Sequence, residues 1–200
     1  SFGIYLYIGN YNEIVDNTMI RPGSIGIYLS SSDSNWITGN SIFWSAQIGI
    51  RLKEWCYYNQ IRFNTINQNQ GICISEIDDC SNSIYHNNSL LGKGDTAFYM
   101  SDSKKSGIIS NQLDFSGTQI TVIYDTTDLT IADNMFSEDS IDYRPMQFWK
   151  NNWSFPNKLE QENILGGEYS YGNFWPGYDG EDIDGDGIGD NQDTDDDNDG

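Results

Sequence analysis

The chain has 200 residues, enough for one sizeable domain, and its 37% hydrophobic content is sufficient for a packed core. Ten lysine and arginine residues face 30 aspartate and glutamate residues, which gives a formal net charge of −20 at pH 7. This acidity excludes an electrostatic attraction to nucleic acid or to anionic lipid, and no apolar run is long enough to insert directly into a membrane.

A residue pattern recurs about every 23 or 24 positions over most of the chain. An asparagine opens each repeat, and an isoleucine lies three positions before most of these asparagines. The isoleucines are Ile14, Ile37, Ile61, Ile84, Ile108 and Ile131, and the asparagines are Asn17, Asn40, Asn64, Asn87 or its neighbour Asn88, Asn111 and Asn134. A fixed period of this length is typical of stacked supersecondary units.

Each repeat also contains a second short apolar segment, for example residues 26–29, in which Ile27 and Leu29 would face one way and Tyr28 the other. No segment is long enough for a helix, and one repeat is too small to bury its own apolar face. We therefore predict an all-β fold: a right-handed, single-stranded parallel β-helix of about seven coils over residues 1–165. A β-sandwich or a leucine-rich-repeat solenoid explains the constant spacing less well.

The asparagines suit the corners of such coils, because asparagine tolerates the left-handed backbone conformation and its amide can bond to the equivalent residue of the next coil. Like residues would then lie above one another, with Ile37, Ile61 and Ile84 in one interior column.

Three cysteines are present, and Cys56 and Cys80 are one coil apart. Stacked on adjacent coils, they could form a disulfide, or all three could be buried thiols; both interpretations stay open. Cys73 is predicted to occupy the outward slot held by Tyr5 and Tyr28 in earlier coils. Two glycosylation sequons begin at Asn87 and Asn152; Asn152 is favoured because Asn87 could belong to the asparagine ladder.

The period lapses in an aromatic region that begins near Trp149, and we interpret residues 166–180 as an irregular aromatic cap and linker. Large rings here would cover the open edge of the last coil. A sugar-stacking platform is the functional alternative.

The acidic tail, residues 181–200, contains alternate aspartates followed by a glycine, which is the spacing of a calcium loop. Ligands at successive odd positions of a curled loop point at one centre, so we predict calcium as the cofactor. The predicted ligands are Asp182, Asp184, Asp186, the Ile188 carbonyl, Asp190 and Asp193, with Asp195, Asp197 and Asp199 in a second loop that is expected to continue beyond the segment. A disordered acidic linker is the alternative.

The coil pattern resembles the parallel β-helix repeats of NosD-like surface proteins, and residues 171–175 leading into residues 182–190 look like the ending of that group. The aspartate-rich stretch is similar to thrombospondin type-3 calcium repeats. NosD itself assists the maturation of a copper enzyme in the periplasm. Nothing in this sequence supports copper, because His86 is the only histidine and the four scattered methionines form no cluster.

We therefore expect a non-catalytic structural or adhesion module of an extracellular, cell-surface or filament-forming protein. Its expected partners are further copies or neighbouring domains of the same surface protein, and carbohydrate.

The alternative is a β-helix that binds or degrades polysaccharide, as a lyase or a hydrolase. Asp102 and Asp125 could stack as paired carboxylates beside Lys104 and Lys105, with Asp78, Asp79, Asp33 and Arg51 on neighbouring coils. Binding without turnover would use Tyr5, Tyr28 and Tyr99.

Overall fold

The computed structural model describes residues 1–137, of which 68 and 69 by their backbone alone, the backbone of 141–145, and residues 151–153 and 173–174. Every regular element among them is a β-strand. In chain order the strands are β1 (Phe2–Tyr7), β2 (Glu13–Val15), β3 (Thr18–Ile20), β4 (Ile25–Ser30), β5 (Trp36–Thr38), β6 (Ser41–Phe43), β7 (Ile48–Lys53), β8 (Gln60–Arg62), β9 (Thr65–Asn69), β10 (Ile72–Ile77), β11 (Ile84–His86), β12 (Ser89–Gly92), β13 (Thr96–Ser101), β14 (Gly107–Ile109), β15 (Gln112–Phe115), β16 (Thr118–Tyr124), β17 (Thr130–Ala132), β18 (Met135–Phe136) and β19 (Ile141–Pro145). In these parts of the chain no helix is long and apolar enough to cross a bilayer.

The strands form three parallel sheets, and each coil contributes one strand to each sheet. The first sheet has the order β1-β4-β7-β10-β13-β16-β19, the second runs from β2 to β17, and the third runs from β3 to β18. All strand pairs are parallel and three strands apart in sequence. The predicted all-β parallel β-helix is thereby confirmed, with about six turns where the sequence predicted about seven coils.

Interior columns of apolar side chains run the length of the stack, because the side chains of paired parallel strands lie directly above one another. Ile14, Ile37 and Ile61 are in register, as are Ile108 and Ile131 further along. All five are buried. The predicted interior column of isoleucines is thus present in the second sheet.

The prediction for Ile84 was wrong: it pairs with Gln60 and Gly107, and Tyr85 takes the interior position between Ile61 and Ile108. The reason is that Asn88, not Asn87, belongs to the asparagine ladder. Asn87 is exposed, with φ of 53°, and Asn88 is buried. The positions of β11 are consequently displaced by one residue from those that the sequence suggested.

The asparagine ladder runs continuously from Asn17 to Asn173. At each step the Oδ1 atom of one asparagine accepts hydrogen bonds from both the backbone N–H and the Nδ2 of the asparagine one coil earlier. The members are Asn17, Asn40, Asn64, Asn88, Asn111, Asn134 and Asn173. The last step spans 39 residues where the step before it spans 23.

A second polar ladder follows the turn between the first and second sheets. Asn35 Oδ1 accepts from the backbone N–H of Asn12 at 2.9 Å, and Asn59 Oδ1 accepts from that of Asn35 at 2.9 Å. Ser106 Oγ accepts in the same way from Ser83 at 3.2 Å. These side chains satisfy backbone donors that point into the coil, where water cannot reach them.

The corners of the coils use left-handed backbone at residues that are not glycine. Asp16, Phe63, Asn87, Ser110 and Asp133, one on each of five coils, all have φ between 53° and 56° and immediately precede a ladder asparagine. Such backbone costs about 1–2 kcal/mol per residue for L-amino acids. The ladder bonds beside each corner offset that cost.

The aromatic region lies mostly outside the described residues, including Trp149 and nearly all of 166–180. Among its described members, Trp153 packs against the core and Phe174 forms a parallel bridge with Met135. Asn173, which the sequence assigned to the cap, donates from Nδ2 to Trp153 O at 2.7 Å and ends the asparagine ladder. The division at residues 165 and 180 stays a prediction.

Candidate functional site

A groove opens on the turns that connect the first sheet to the second, which we call the corner face. These turns are residues 8–12, 31–35, 54–59, 78–83, 102–106 and 125–129. The groove has a volume of about 290 Å³. Its lining consists of Trp55, Tyr57, Asp79, Cys80, Ser81, Asp102 and Lys104. Three successive coils therefore contribute to it.

The aromatic side of the groove is held by the backbone of its own turn. Trp55 has φ of 57°, donates its backbone N–H to Asp78 O at 3.1 Å, and is 59% exposed. The backbone N–H of Tyr57 donates to Asp33 Oδ1 at 2.8 Å. A left-handed corner turns the Trp55 ring outward, and the Asp33 carboxylate fixes the backbone beside it.

The polar side of the groove comes from the next two coils. Tyr57, Ser81 and Lys104 are joined by parallel bridges, so their backbones are stacked in register. Asp79 donates its backbone N–H to Asp102 O at 3.1 Å, which places these two acidic residues on adjacent coils. Within the described residues no hydrogen bond or ion pair engages the Asp79 carboxylate or the Tyr57 hydroxyl, and both are available to a ligand.

Electrostatically the groove is negative. Lys104 Nζ lies 3.3 Å from Asp125 Oδ2, so an exposed ion pair neutralises its charge and leaves Asp79 and Asp102 in excess. Burial, with a smaller contribution from Asp79, raises the pKa of Tyr57. The phenol therefore remains a neutral donor near pH 7.

The predicted pairing of Asp102 with Asp125 was not found. Ser101 pairs with Ile123, so Tyr124 is the equivalent of Asp102 and Asp125 lies one position further along. Asp33 accepts a backbone hydrogen bond from Tyr57 and is thus a structural residue of the corner. Arg51 lies on the first sheet and Lys105 at a left-handed corner, and neither lines the groove.

The cysteines are free thiols, and Cys56 and Cys80 belong to a ladder of hydroxyl and thiol groups. The backbone N–H of Cys56 donates to Cys80 Sγ at 3.3 Å, as Gly9 donates to Ser32 Oγ at 3.0 Å and Ser103 to Thr126 Oγ1 at 3.4 Å. A hydrogen bond from Cys80 lowers the pKa of the Cys56 thiol and raises that of Cys80.

The expected position of Cys73 was wrong. Ile72 and Ile74 pair with Ile48 and Ile50, so Cys73 matches Gly49 and is fully buried. Ser75 holds the outward slot of this coil. Burial raises the pKa of the Cys73 thiol well above its ordinary value.

The outward slot of the first sheet contains only a partial tyrosine ladder. Tyr5 and Tyr28 stack with ring centroids 4.9 Å apart, and Phe2 lies 5.4 Å from Tyr28. Arg51 and Ser75 then separate Tyr28 from Tyr99. The three tyrosines predicted to bind carbohydrate therefore do not form one platform.

An acidic side chain that sequence reasoning missed lies inside the coil. Glu76 occupies the interior slot of Leu52 and Met100 and is fully buried. Its carboxylate accepts from the Tyr85 hydroxyl at 2.5 Å and from Ser106 Oγ at 2.7 Å. Burial raises the pKa of Glu76, and these hydrogen bonds oppose the rise.

The predicted metal ligands lie outside the described residues. They are Asp182, Asp184, Asp186, Ile188, Asp190, Asp193, Asp195, Asp197 and Asp199. Their grouping about a common centre stays a prediction. Among the residues that the structure does describe, no group of three or more histidine, cysteine or acidic side chains could hold a metal ion.

Three parallel sheets, an asparagine ladder and a groove on the corner face define a parallel β-solenoid with a candidate binding site. The chain matches the family described as periplasmic copper-binding protein (NosD) over residues 1–95 and 43–180. These matches cover most of the chain, which therefore belongs to the NosD family. No curated protein and no solved structure matches it significantly.

The family assignment agrees with the predicted NosD-like β-helix and, at a coarse level, with a location outside the cytoplasm. It also corrects the predicted cofactor: the family is described as copper-binding, and calcium was wrong. Aspartate spacing indicates hard oxygen donors, but spacing alone does not fix what a family binds.

The described donor set does not fit a copper centre of three or four ligands. The soft donors among the described residues are the Cys56 and Cys80 thiols, which are engaged in the hydroxyl and thiol ladder, the buried Cys73 thiol, and the thioethers of Met19, Met100 and Met135, which lie on β3, β13 and β18. His86 is the only histidine, and burial lowers its pKa.

Proposed function

We propose that this chain is a non-catalytic structural or adhesion module of a protein that acts outside the cytoplasm. The observation that supports this most is the continuous asparagine ladder from Asn17 to Asn173. Solenoids are stabilised by contacts between neighbouring repeats. The asparagine ladder repeats the same two hydrogen bonds between adjacent coils. Side chains on the outer surface of successive coils are therefore held at a constant spacing.

We further propose that its partners are additional copies or neighbouring domains of the same protein. An aromatic cluster on the first sheet supports such contacts: Phe2, Tyr5 and Tyr7 are exposed, Tyr28 is half-buried beside them, and neighbouring ring centroids lie 4.9–6.4 Å apart. Exposed apolar patches of this kind mark interaction surfaces.

The experiment combines light scattering with an assay for polysaccharide cleavage. We expect concentration-dependent association that Tyr5→Ser weakens, and no release of reducing or unsaturated ends from neutral or acidic polysaccharides. Tyr124→Ser, which removes a ring that is 60% exposed and outside the cluster, is the control. Cleavage that Asp102→Asn abolishes would overturn the proposal in favour of an enzyme.

A second candidate function is the binding of polysaccharide without turnover, and the groove on the corner face favours it. Its volume of about 290 Å³ is just below the range of small-molecule sites, about 300–1,000 Å³, and suits a ligand of one ring. One exposed ring, one phenol and two carboxylates surround it. Retention on immobilised polysaccharide, reduced in Trp55→Ala, would test this function.

A further inference from the structure

We propose that the groove on the corner face binds one uncharged sugar ring and discriminates against uronic acids. This inference rests on the second candidate function, polysaccharide binding, and adds the class of sugar and the roles of the residues. It depends on three features of the groove: one exposed indole, several free polar groups and an excess of negative charge.

The Trp55 ring provides the flat apolar surface. It is 59% exposed although its backbone is fixed by the hydrogen bond to Asp78 O. No aromatic or cation contact to another described residue covers it, whereas Arg21 lies over Trp44 and Arg62 over Trp36. A pyranose ring presents a face of C–H groups, which packs on the face of an aromatic ring because that face is negative.

The polar groups of the groove match the hydroxyls of a sugar. The Asp79 carboxylate accepts hydrogen bonds and has no partner among the described residues, and the neutral Tyr57 hydroxyl can both donate and accept. Asp102 Oδ2 already accepts from Ser101 Oγ at 3.2 Å and retains further acceptor capacity. Vicinal hydroxyls of one ring can thus be bound from two adjacent coils.

The charge of the groove selects against acidic sugars. Lys104 is the only cation in the lining, and it is paired with Asp125. A uronate would approach the Asp79 and Asp102 carboxylates without a free counter-charge, and like charges in close contact repel. An uncharged ring encounters no such repulsion.

The test uses calorimetry on the full chain with tetrasaccharides of glucose, of galactose and of mannose, and with tetragalacturonate as the acidic counterpart. We expect at least one uncharged tetrasaccharide to bind, and tetragalacturonate to bind at least about tenfold more weakly. Trp55→Ala should weaken the uncharged ligand about tenfold or more. Trp36→Ala, which removes a ring that is 51% exposed on β5, should leave binding unchanged.

The double variant Asp79→Asn and Asp102→Asn tests the role of charge in ligand selectivity without a large change in the shape of the groove. Asparagine keeps the shape and part of the hydrogen bonding but removes the charge, so the preference for uncharged over acidic ligand should shrink. Preferential binding of tetragalacturonate by the unaltered chain would overturn the inference while leaving polysaccharide binding intact. If no tetrasaccharide of either kind binds, both are overturned.

Discussion

The Oδ1 atom of Asn111 accepts two hydrogen bonds from Asn88, one from its backbone N–H at 2.9 Å and one from its Nδ2 at 3.0 Å. Asn111 in turn donates from Nδ2 to Tyr85 O at 2.9 Å and to Asn134 Oδ1 at 3.0 Å. One fully buried amide thus links three coils. The same relationship recurs at each step of the asparagine ladder.

Replacement of Asn111 by alanine should lower the free energy of unfolding by about 3 kcal/mol or more. The substitution leaves the backbone N–H of Asn88 and one N–H of its side-chain amide without an acceptor inside the coil, and each unsatisfied buried group costs about 1–3 kcal/mol. Gln112→Ala, at the exposed neighbouring position, is the matched control and should change stability little. Urea denaturation of both variants measures the difference; equal losses would show that the ladder is not stabilising.

The buried carboxyl of Glu76 should make stability depend on pH. Because its pKa is raised in the folded chain, the folded state retains the proton after the unfolded state has lost it. Its contribution is therefore fully favourable below the ordinary value of about 4.5 and is lost as pH rises from there through the raised pKa. Glu76→Gln should gain stability relative to the unaltered chain over that interval.

The free energies of unfolding of the unaltered chain and of Glu76→Gln, measured across this pH range, show whether the variant gains relative stability as pH rises. A difference between them that stays constant with pH, or that moves the other way, would mean that Glu76 is not a buried neutral acid. Glu13→Gln, at an exposed position of β2, provides the control for a general effect of charge.

The three thiols should all be alkylated when the chain is denatured without reductant, since none is in a disulfide. In the native state we expect Cys56 to react before Cys73 and Cys80, since the pKa of both other thiols is raised. Thiolate is the reactive form, and the pKa of Cys56 is lowered by its hydrogen bond from Cys80 while burial raises that of Cys73. Mass spectrometry counts the labels. Only one label after denaturation would reveal a disulfide.

Gly26 should not tolerate a side chain. A Cβ atom there would lie 2.6 Å from Gly49 O and 2.8 Å from Ile42 Cγ2, and a backbone atom cannot move aside. Gly26→Ala should therefore destabilise the chain by about 1–3 kcal/mol, the usual cost of overpacking. At Gly9 the nearest atom is the Asn12 Nδ2 at 3.2 Å, so Gly9→Ala should cost less. The midpoint temperatures of thermal unfolding of the two variants measure this difference, and equal losses would contradict it.

The architecture could be predicted from the sequence because the period and its asparagines are visible without coordinates. Asn40 and Asn64, for example, lie where the interval requires, and their isoleucines Ile37 and Ile61 are buried in one column. A hydrogen-bonded ladder requires the same residue at a nearly constant interval, and that interval can be read directly from the sequence.

The rest could not be predicted, because it depends on single-residue register and on contacts between coils. Two consecutive asparagines at 87 and 88 give no sign of which one faces inward, and this choice puts Tyr85 inside beside Glu76. The groove was missed for a similar reason. Trp55 and Asp102 are far apart in sequence and come together only when three corners stack.

The repetition of the asparagine ladder from coil to coil affects how proteins of this kind can change length. Each step of the asparagine ladder uses the same pair of hydrogen bonds, so duplication of one whole repeat would reproduce those bonds at both junctions. Loss of a single residue within a strand, by contrast, would turn the side chains that follow it to the opposite face of the sheet. Evolution can therefore lengthen or shorten such a rod in steps of one full turn far more readily than in smaller ones.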